Sequence, residues 1–358
     1  MLADLDYFFA QCEELRNPKL KTKPVVVGVY SGRTEDSGAV STANYIARQF
    51  GVNSGIPLWL AMKKLHNLDA VFLPVDYKYY KQISDEIMIS LRSYSDVFEQ
   101  VGIDEAYLDI SMKVKGNFKA GQVLAEKIKT EVKKKIGISF SVGLAPNKLV
   151  AKIASEVNKP DGLTVVEPGN VASFLATFPV ISIPGVGKKT AKKMNTMSIT
   201  TIGDLARYDI QRLVESFGRN MGVYFYNAAN GKDADPVHEF VKSESISRMS
   251  TLRENTRDLT VLLAGTDQLI LSIHKDLLNS HFNFKRVGII MIMDDLSTRS
   301  KSKTLSISSD KLFLIKKTVQ SLLDSFLSES KMEIRRIGVK ISQFSVNEKK
   351  QKKLSAFL

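Results

Sequence analysis

A mixed α/β fold spread over several domains is what this sequence predicts, and three observations predict it. The 358 residues exceed what a single hydrophobic core holds, so about two to four domains are expected. Short β-branched runs alternate with stretches whose apolar residues recur every three or four positions. The pattern also changes along the chain, from mixed to helical and back to mixed.

The first stretch, LADLDYFFA, reads as a strand running into the helix-like YFFAQCEEL. Asp6 stands at the boundary, where a carboxylate is expected to accept from free backbone N–H groups and cap the helix. Residues 25–30, VVVGVY, form a buried strand, and SGRTEDSG a polar loop. Residues 42–51 and 58–65 read as helices around a Gly51–Pro57 turn, and residues 77–95 as a longer helix with Ile83, Ile87 and Leu91 at four-residue spacing. GIDEAYLDI is a strand. Residues 120–135 place Leu124, Ile128 and Val132 on one helical face, and ISFSVGLA alternates as a half-buried strand. The helix over 147–157 ends at the turn-forming NKPDG, and LTVV is a further strand. Residues 166–232 are mainly helical. Periodicity fades over 233–244, the expected linker. Residues 245–343 return to mixed α/β, with VGIIMIM and RRIGVKIS as strands and Leu312 to Leu327 as a helix.

Composition narrows the function. No apolar run approaches the roughly 18 residues of a membrane helix, and MLADLDYFFAQ carries acids where a signal peptide is basic. Cys12 is the single cysteine, and the four histidines lack metal-ligand spacing. A cytoplasmic protein is the expectation. The net charge of +13 is unevenly placed: +3 over residues 1–165 (22 basic, 19 acidic), +4 over 166–232 (8 and 4), +6 over 233–358 (21 and 15). The later segments have the charge to grip a polyanion, nucleic acid above all.

The acids sit elsewhere. Asp4 lies on an apolar strand with no basic neighbour in sequence, and an acid there is costly to bury unless paired or bound to a cation. In GIDEAYLDI, a regular strand would send Asp104 and Glu105 to opposite faces and pair Glu105 with Asp109 instead. Gly102 just before them suggests a turn, where both acids can point one way. A metal site of Asp4, Asp104 and Glu105 and a surface strand with salt bridges both satisfy the pattern. Hard carboxylate oxygens suit Mg²⁺, commonly completed by substrate phosphates.

Five stretches then occur in order: DLDYFFAQCEE, STANYIARQFGVNSGIP, GIDEAYLDIS, SVGLAPNKLVAKIASEVNKPDG and IPGVGKKTAKKM. Together they resemble the Y-family, lesion-bypass DNA polymerases, most closely the archaeal branch similar to DNA polymerase IV, from about Leu2 to Ser342. The resemblance implies a palm (residues 1–10 and 77–165), inserted fingers (11–76), a helical thumb with a helix–hairpin–helix (166–232), the linker (233–244), an α/β little finger (245–343) and a tail (344–358). It implies error-tolerant, template-directed transfer of a deoxynucleotide to a primer 3′-hydroxyl. No proofreading is expected, since no separate nuclease domain is seen. Asp4, Asp104 and Glu105, with the Leu5 carbonyl, would hold two Mg²⁺ ions.

The same resemblance assigns the remaining candidates. Thr42, Tyr45, Arg48 and Lys159 would contact the triphosphate; Tyr45 and Arg48, three apart, share one side of a helix, and an Arg fork suits phosphate. Phe9 would lie beneath the incoming sugar and exclude a 2′-hydroxyl, with Tyr7 beside it; the family often has tyrosine at the Phe9 position. Ala39, Ser41 and Gly55 would roof the new base pair. Gly185 and Gly187, followed by Lys188 and Lys189, would bring backbone N–H groups to a DNA phosphate. Arg335, Arg336 and Lys242 would meet DNA backbone, with Lys340, Arg299 and Lys301 as further candidates; strand alternation allows only one of the adjacent arginines to do so. QKKLSAFL is similar to a sliding-clamp peptide, anchored by Gln351, Leu354, Phe357 and Leu358. The implied partners are primer–template DNA, a deoxynucleoside triphosphate and the clamp, with the protein a monomer and off the membrane. Only Met1, Leu2 and Ala3 precede Asp4, where relatives usually have several more apolar residues, so either the first strand is shortened or the start codon is misassigned. The alternatives are a catalytically silent DNA-binding clamp adaptor and a two-metal nuclease.

Overall fold

The computed structural model describes residues 1–239 and 244–346. In chain order the elements are β1 (Leu2–Leu5), α1 (Phe8–Arg16), β2 (Val25–Tyr30), β3 (Gly38–Ala43), α2 (Tyr45–Gln49), α3 (Leu58–Leu65), β4 (Val71–Pro74), α4 (Tyr77–Ser93), β5 (Val97–Gln100), β6 (Glu105–Asp109), α5 (Phe118–Ile136), β7 (Phe140–Leu144), α6 (Lys148–Val157) and β8 (Leu163–Val165). There follow α7 (Val171–Ala176), α8 (Lys188–Thr196), α9 (Ile202–Ala206), α10 (Ile210–Phe217) and α11 (Arg219–Ala229). The last set is β9 (Ser245–Thr256), α12 (Leu259–Asn279), β10 (Phe282–Met293), β11 (Thr298–Ser309), α13 (Leu312–Glu329), β12 (Ile334–Ser342) and β13 (Ser345–Val346).

Two units emerge, Met1–Val29 with Ala39–Val241, and Tyr30–Gly38 with Lys242–Leu358. The first is built on a five-stranded sheet in the order β5-β6-β1-β7-β8. Alternate residues of β1 and β7, among them Ala3, Leu5, Phe140 and Val142, pack with Tyr80, Ile87 and Leu91 of α4 and Ile128 and Val132 of α5. Helix α6 packs on β7 and β1. That approach depends on Gly143, where a Cβ would stand 2.0 Å from the Ala151 carbonyl oxygen. Leu149, Val150 and Ile153 of α6 join a second cluster with Leu175, Met194, Leu205 and Phe225 of the helical segment.

In the second unit β11-β10-β12-β9 form one sheet, whose Val287, Ile289, Met291, Ile337, Val339 and Ile341 are buried with Ile270 and Ile273 of α12 and Val319 and Leu323 of α13. Both edge strands, β9 and β11, escape a reading by alternation, because their side chains are mainly polar and only Leu252 among them is buried. Nor was β3 expected: residues 38–43 pair beside β2, so the helix anticipated from residue 42 begins only at Tyr45, capped by Asn44. No helix among the described residues is long and apolar enough to cross a membrane.

Candidate active site

β1 is the middle strand of its sheet, antiparallel to both neighbours, with Asp4 in register with Glu105 of β6 and Ser141 of β7. Paired residues on adjacent strands carry their side chains to the same face, so Asp4 and Glu105 share one. Glu105 is the first residue of β6, and Asp104 lies in the bend before it. Strand alternation therefore does not separate the two acids. The Asp104 carbonyl accepts from Leu5 N–H at 2.8 Å, tying that bend to β1. Asp109 stands at the far end of β6 and accepts from Ser111 N–H at 2.8 Å, away from this cluster.

Two ammonium groups enter from α6 and the turn after it. Lys152 Nζ donates to Asp4 Oδ2 at 2.7 Å and Glu105 Oε2 at 2.8 Å. Lys159 Nζ donates to Asp4 Oδ1 at 2.6 Å and Glu156 Oε1 at 2.8 Å. Burial opposes charge on both lysines, yet the adjoining carboxylates prevail and raise their pKa values. Asp104 has its pKa raised, first by burial and then by the charge of Asp4; the two lysines act on it only through their fields. Among the described residues no three acidic, His or Cys side chains converge as a ready-made metal cage. The donor set is nonetheless a hard-oxygen one, and Asp104 sits in a field that an added cation would relieve.

Asp6 does not cap α1. The cap position belongs to Tyr7, in the left-handed region at φ 37°, and no side chain caps the helix. The Asp6 carboxylate is buried and accepts instead from Ser141 Oγ at 2.8 Å and Asp161 N–H at 2.7 Å. Ser141 Oγ also accepts from Gly162 N–H at 3.2 Å, and Lys129 Nζ donates to Asp161 Oδ1 and to the carbonyls of Phe140 and Gly162. The turn that presents Lys159 is thus fastened to the sheet on both sides.

Of the other candidates, Tyr45 lies within the fields of Asp6 and Lys159. Tyr7 meets Tyr45 edge-on with ring centroids 5.3 Å apart, and the Arg48 guanidinium lies 4.8 Å over the Tyr45 ring while its Nε donates to the Ala43 carbonyl. Asn44 sets this group in place: it caps α2, accepts from Val25 N–H at 3.0 Å and donates to Glu14 Oε1 at 2.9 Å. Thr42 is half-buried on β3. Ala39 bridges to Pro57, and Gly55 N–H donates to the Val40 carbonyl, which brings Ala39, Ser41 and Gly55 onto one stretch of small residues. Phe9 is half-buried and stacks on Tyr80.

Farther along, Gly185 takes φ +84° and Gly187 is the N-cap of α8, with Lys188 and Lys189 exposed on its first turn. At Arg335 both ladders of β12 shift register. The bulge removes the alternation that would have put Arg335 and Arg336 on opposite faces. Arg336 is opposite Ile292 and Thr251, on the face away from α12 and α13, and its buried Nε has no hydrogen-bond partner. Lys301 turns the other way, to Glu329 and Ser325 of α13. Lys242, Gln351, Leu354, Phe357 and Leu358 lie outside the described residues.

Lys152, Ser141 and Asn44 are the contributors that the sequence did not single out. Lys152 carried one signal, a lone basic residue inside the apolar run LVAKIA, which calls for an acidic partner.

Three family models match the chain in succession: the impB/mucB/samB family over residues 3–156, the DNA polymerase-iota thumb domain over 181–233, and the impB/mucB/samB family C-terminal domain over 243–354. The chain is 45% identical to DNA polymerase IV of Nitrosopumilus maritimus over 343 residues, 96% of this chain and 94% of that one. It is 43% identical to DNA polymerase IV of Methanosarcina acetivorans, with 94% and 93% covered. A solved Y-family DNA polymerase chimera of Dbh and Dpo4 matches with a TM-score of 0.90 at 38% identity, over 97% of this chain and 99% of that one. An insertion ternary complex of Dbh DNA polymerase matches with a TM-score of 0.70 over the same shares.

Proposed function

The chain belongs to the Y-family of DNA polymerases, in the DNA polymerase IV branch, and on that premise we propose that Asp4, Asp104 and Glu105 form its catalytic carboxylate cluster. It is a DNA-directed DNA polymerase of a translesion family, and its reaction joins a deoxynucleotide to a primer 3′-hydroxyl on a template. One observation carries the site: Asp4 and Glu105 face each other across β1 and β6, with Asp104 beside them in the bend.

The three carboxylates and the Leu5 carbonyl would hold two Mg²⁺ ions, which supply a lowered pKa for the 3′-hydroxyl and neutralise charge on the triphosphate. The residues themselves do the rest. Lys159, held in its fastened turn, is placed to exchange its Asp4 contact for a phosphate oxygen. Arg48, Tyr45 and Thr42 orient the triphosphate from the other side. Phe9 and Tyr7 support the sugar, and the small residues Ala39, Ser41 and Gly55 leave room over the base, which accommodates damaged templates.

Gly187, Lys188 and Lys189 grip DNA phosphates without reading bases, as a hold on any sequence requires; Gly185 gives the turn its left-handed residue. Arg335, Arg336 and Lys242 add backbone contacts from the second unit. The C-terminal Gln351, Leu354, Phe357 and Leu358 dock on a sliding clamp, and the protein acts as a monomer. Primer extension by the purified chain tests this reading. Template-directed addition with Mg²⁺ that stops on chelation supports it; DNA bound tightly but never extended contradicts it.

A further inference from the structure

Phe9 is braced from behind. Its ring stacks on Tyr80 with centroids 4.5 Å apart and planes 18° apart, and Tyr77 meets it edge-on at 5.8 Å. Tyr80 is wholly buried, and its hydroxyl donates to Glu13 Oε1 at 2.8 Å. Glu13 follows Phe9 by four residues on α1, the spacing that sets two side chains on one helix face. A closed loop results: the Tyr80 face rests on Phe9, its hydroxyl on Glu13, and α1 joins the two.

The loop is itself tied down. Glu13 is 5% exposed. The Arg16 guanidinium reaches Glu13 Oε1 at 3.5 Å and Asp76 Oδ2 at 2.7 Å. Asp76 is the N-cap of α4, the helix that carries Tyr77 and Tyr80. A hydrogen bond to a buried carboxylate is strong and resists exchange with water.

We infer that the Tyr80–Glu13 hydrogen bond sets sugar specificity, by fixing the plate against which the Phe9 ring rests. This rests on the reading of Phe9 as the residue beneath the incoming sugar. An aromatic ring excludes a 2′-hydroxyl only as far as it cannot retreat, and close-packed interiors transmit that resistance. Tyr80 and Glu13, buried behind Phe9, are positioning residues for this discrimination.

Single-nucleotide insertion opposite a template guanine, with kcat/KM measured for dCTP and for rCTP on the full chain, tests the inference. Phe9→Ala should give the largest fall in the dCTP/rCTP ratio. Tyr80→Phe and Glu13→Ala should each lower the ratio about fivefold through faster rCTP insertion, the scale expected for one lost hydrogen bond. Glu13→Gln keeps an acceptor oxygen and should stay near the wild-type ratio. Wild-type ratios in Tyr80→Phe and Glu13→Ala, with Phe9→Ala relaxed, overturn the inference and leave the Phe9 reading standing. Equal losses for both nucleotides in Tyr80→Phe mark a purely structural role and overturn it too. An unchanged ratio in Phe9→Ala removes the reading of Phe9 and the inference with it.

Discussion

Asp4 and Glu105, in register on adjacent antiparallel strands, share one ammonium: Lys152 Nζ lies 2.7 Å from the first and 2.8 Å from the second. Removing that lysine leaves Glu105 without its ammonium, facing an Asp4 that keeps Lys159 alone. Lys152→Met should therefore cost about 3 kcal/mol at neutral pH and low salt, read from the urea midpoint. An unchanged midpoint would show that the ion pairs are not what offsets the acids.

Lys159 is offered to the site by a turn that Asp6, Ser141 and Lys129 hold in place. Lys159→Ala should raise KM for the incoming nucleotide about tenfold while kcat falls less, the mark of a contact made in the ground state as well as the transition state. A loss confined to kcat would place Lys159 at the reacting atoms instead.

On the first turn of α8, Lys188 and Lys189 are exposed beside the Gly187 N-cap. Replacing both with alanine should weaken DNA binding on every sequence alike. The slope of log affinity against log salt should shrink by about one per lysine. A slope unchanged within error would remove both residues from the DNA interface.

Thr201 and Asp204 make a reciprocal cap at the start of α9, with Asp204 Oδ2 accepting from the N–H groups of Thr201 and Thr200 and from Thr200 Oγ1. Those donors, the Thr201 N–H foremost, hold the Asp204 pKa well below the usual carboxylate range. A carboxyl depressed on folding stabilises the fold fully above its unfolded value of about 4 and loses that effect as pH falls below it. The gap in urea midpoint between wild type and Asp204→Ala should be widest near neutrality and close as the solution is taken into acid below about pH 4. A gap independent of pH would mean that the charge is not involved.

Much of this was legible before the fold was known, and the exceptions have physical causes. Asp4, Asp104 and Glu105 stood out as acids on apolar strands. Alternation alone paired Glu105 with Asp109, whereas the bend after Gly102 frees Asp104 from it. Asp6 read as a cap because its neighbours are helix formers, but its buried carboxylate finds donors on β7 and on the turn after α6, 135 and 155 residues away. The partners of Lys152 are 47 and 148 residues distant, beyond any local pattern. At Arg335 the bulge cancelled an alternation argument that holds for the rest of β12. β9 and β11 were hidden because an edge strand carries polar side chains and lacks the apolar period that marks its buried neighbours.

Single-nucleotide primer extension by Glu105→Gln in Mg²⁺, with DNA affinity measured on the same preparation, addresses the central claim most directly. The carboxylate is lost with little change of shape, so DNA affinity should hold while the insertion rate falls at least about a hundredfold, as when one charge-stabilising group leaves an active site. Insertion at the wild-type rate would contradict the assignment of Asp4, Asp104 and Glu105 as the catalytic cluster.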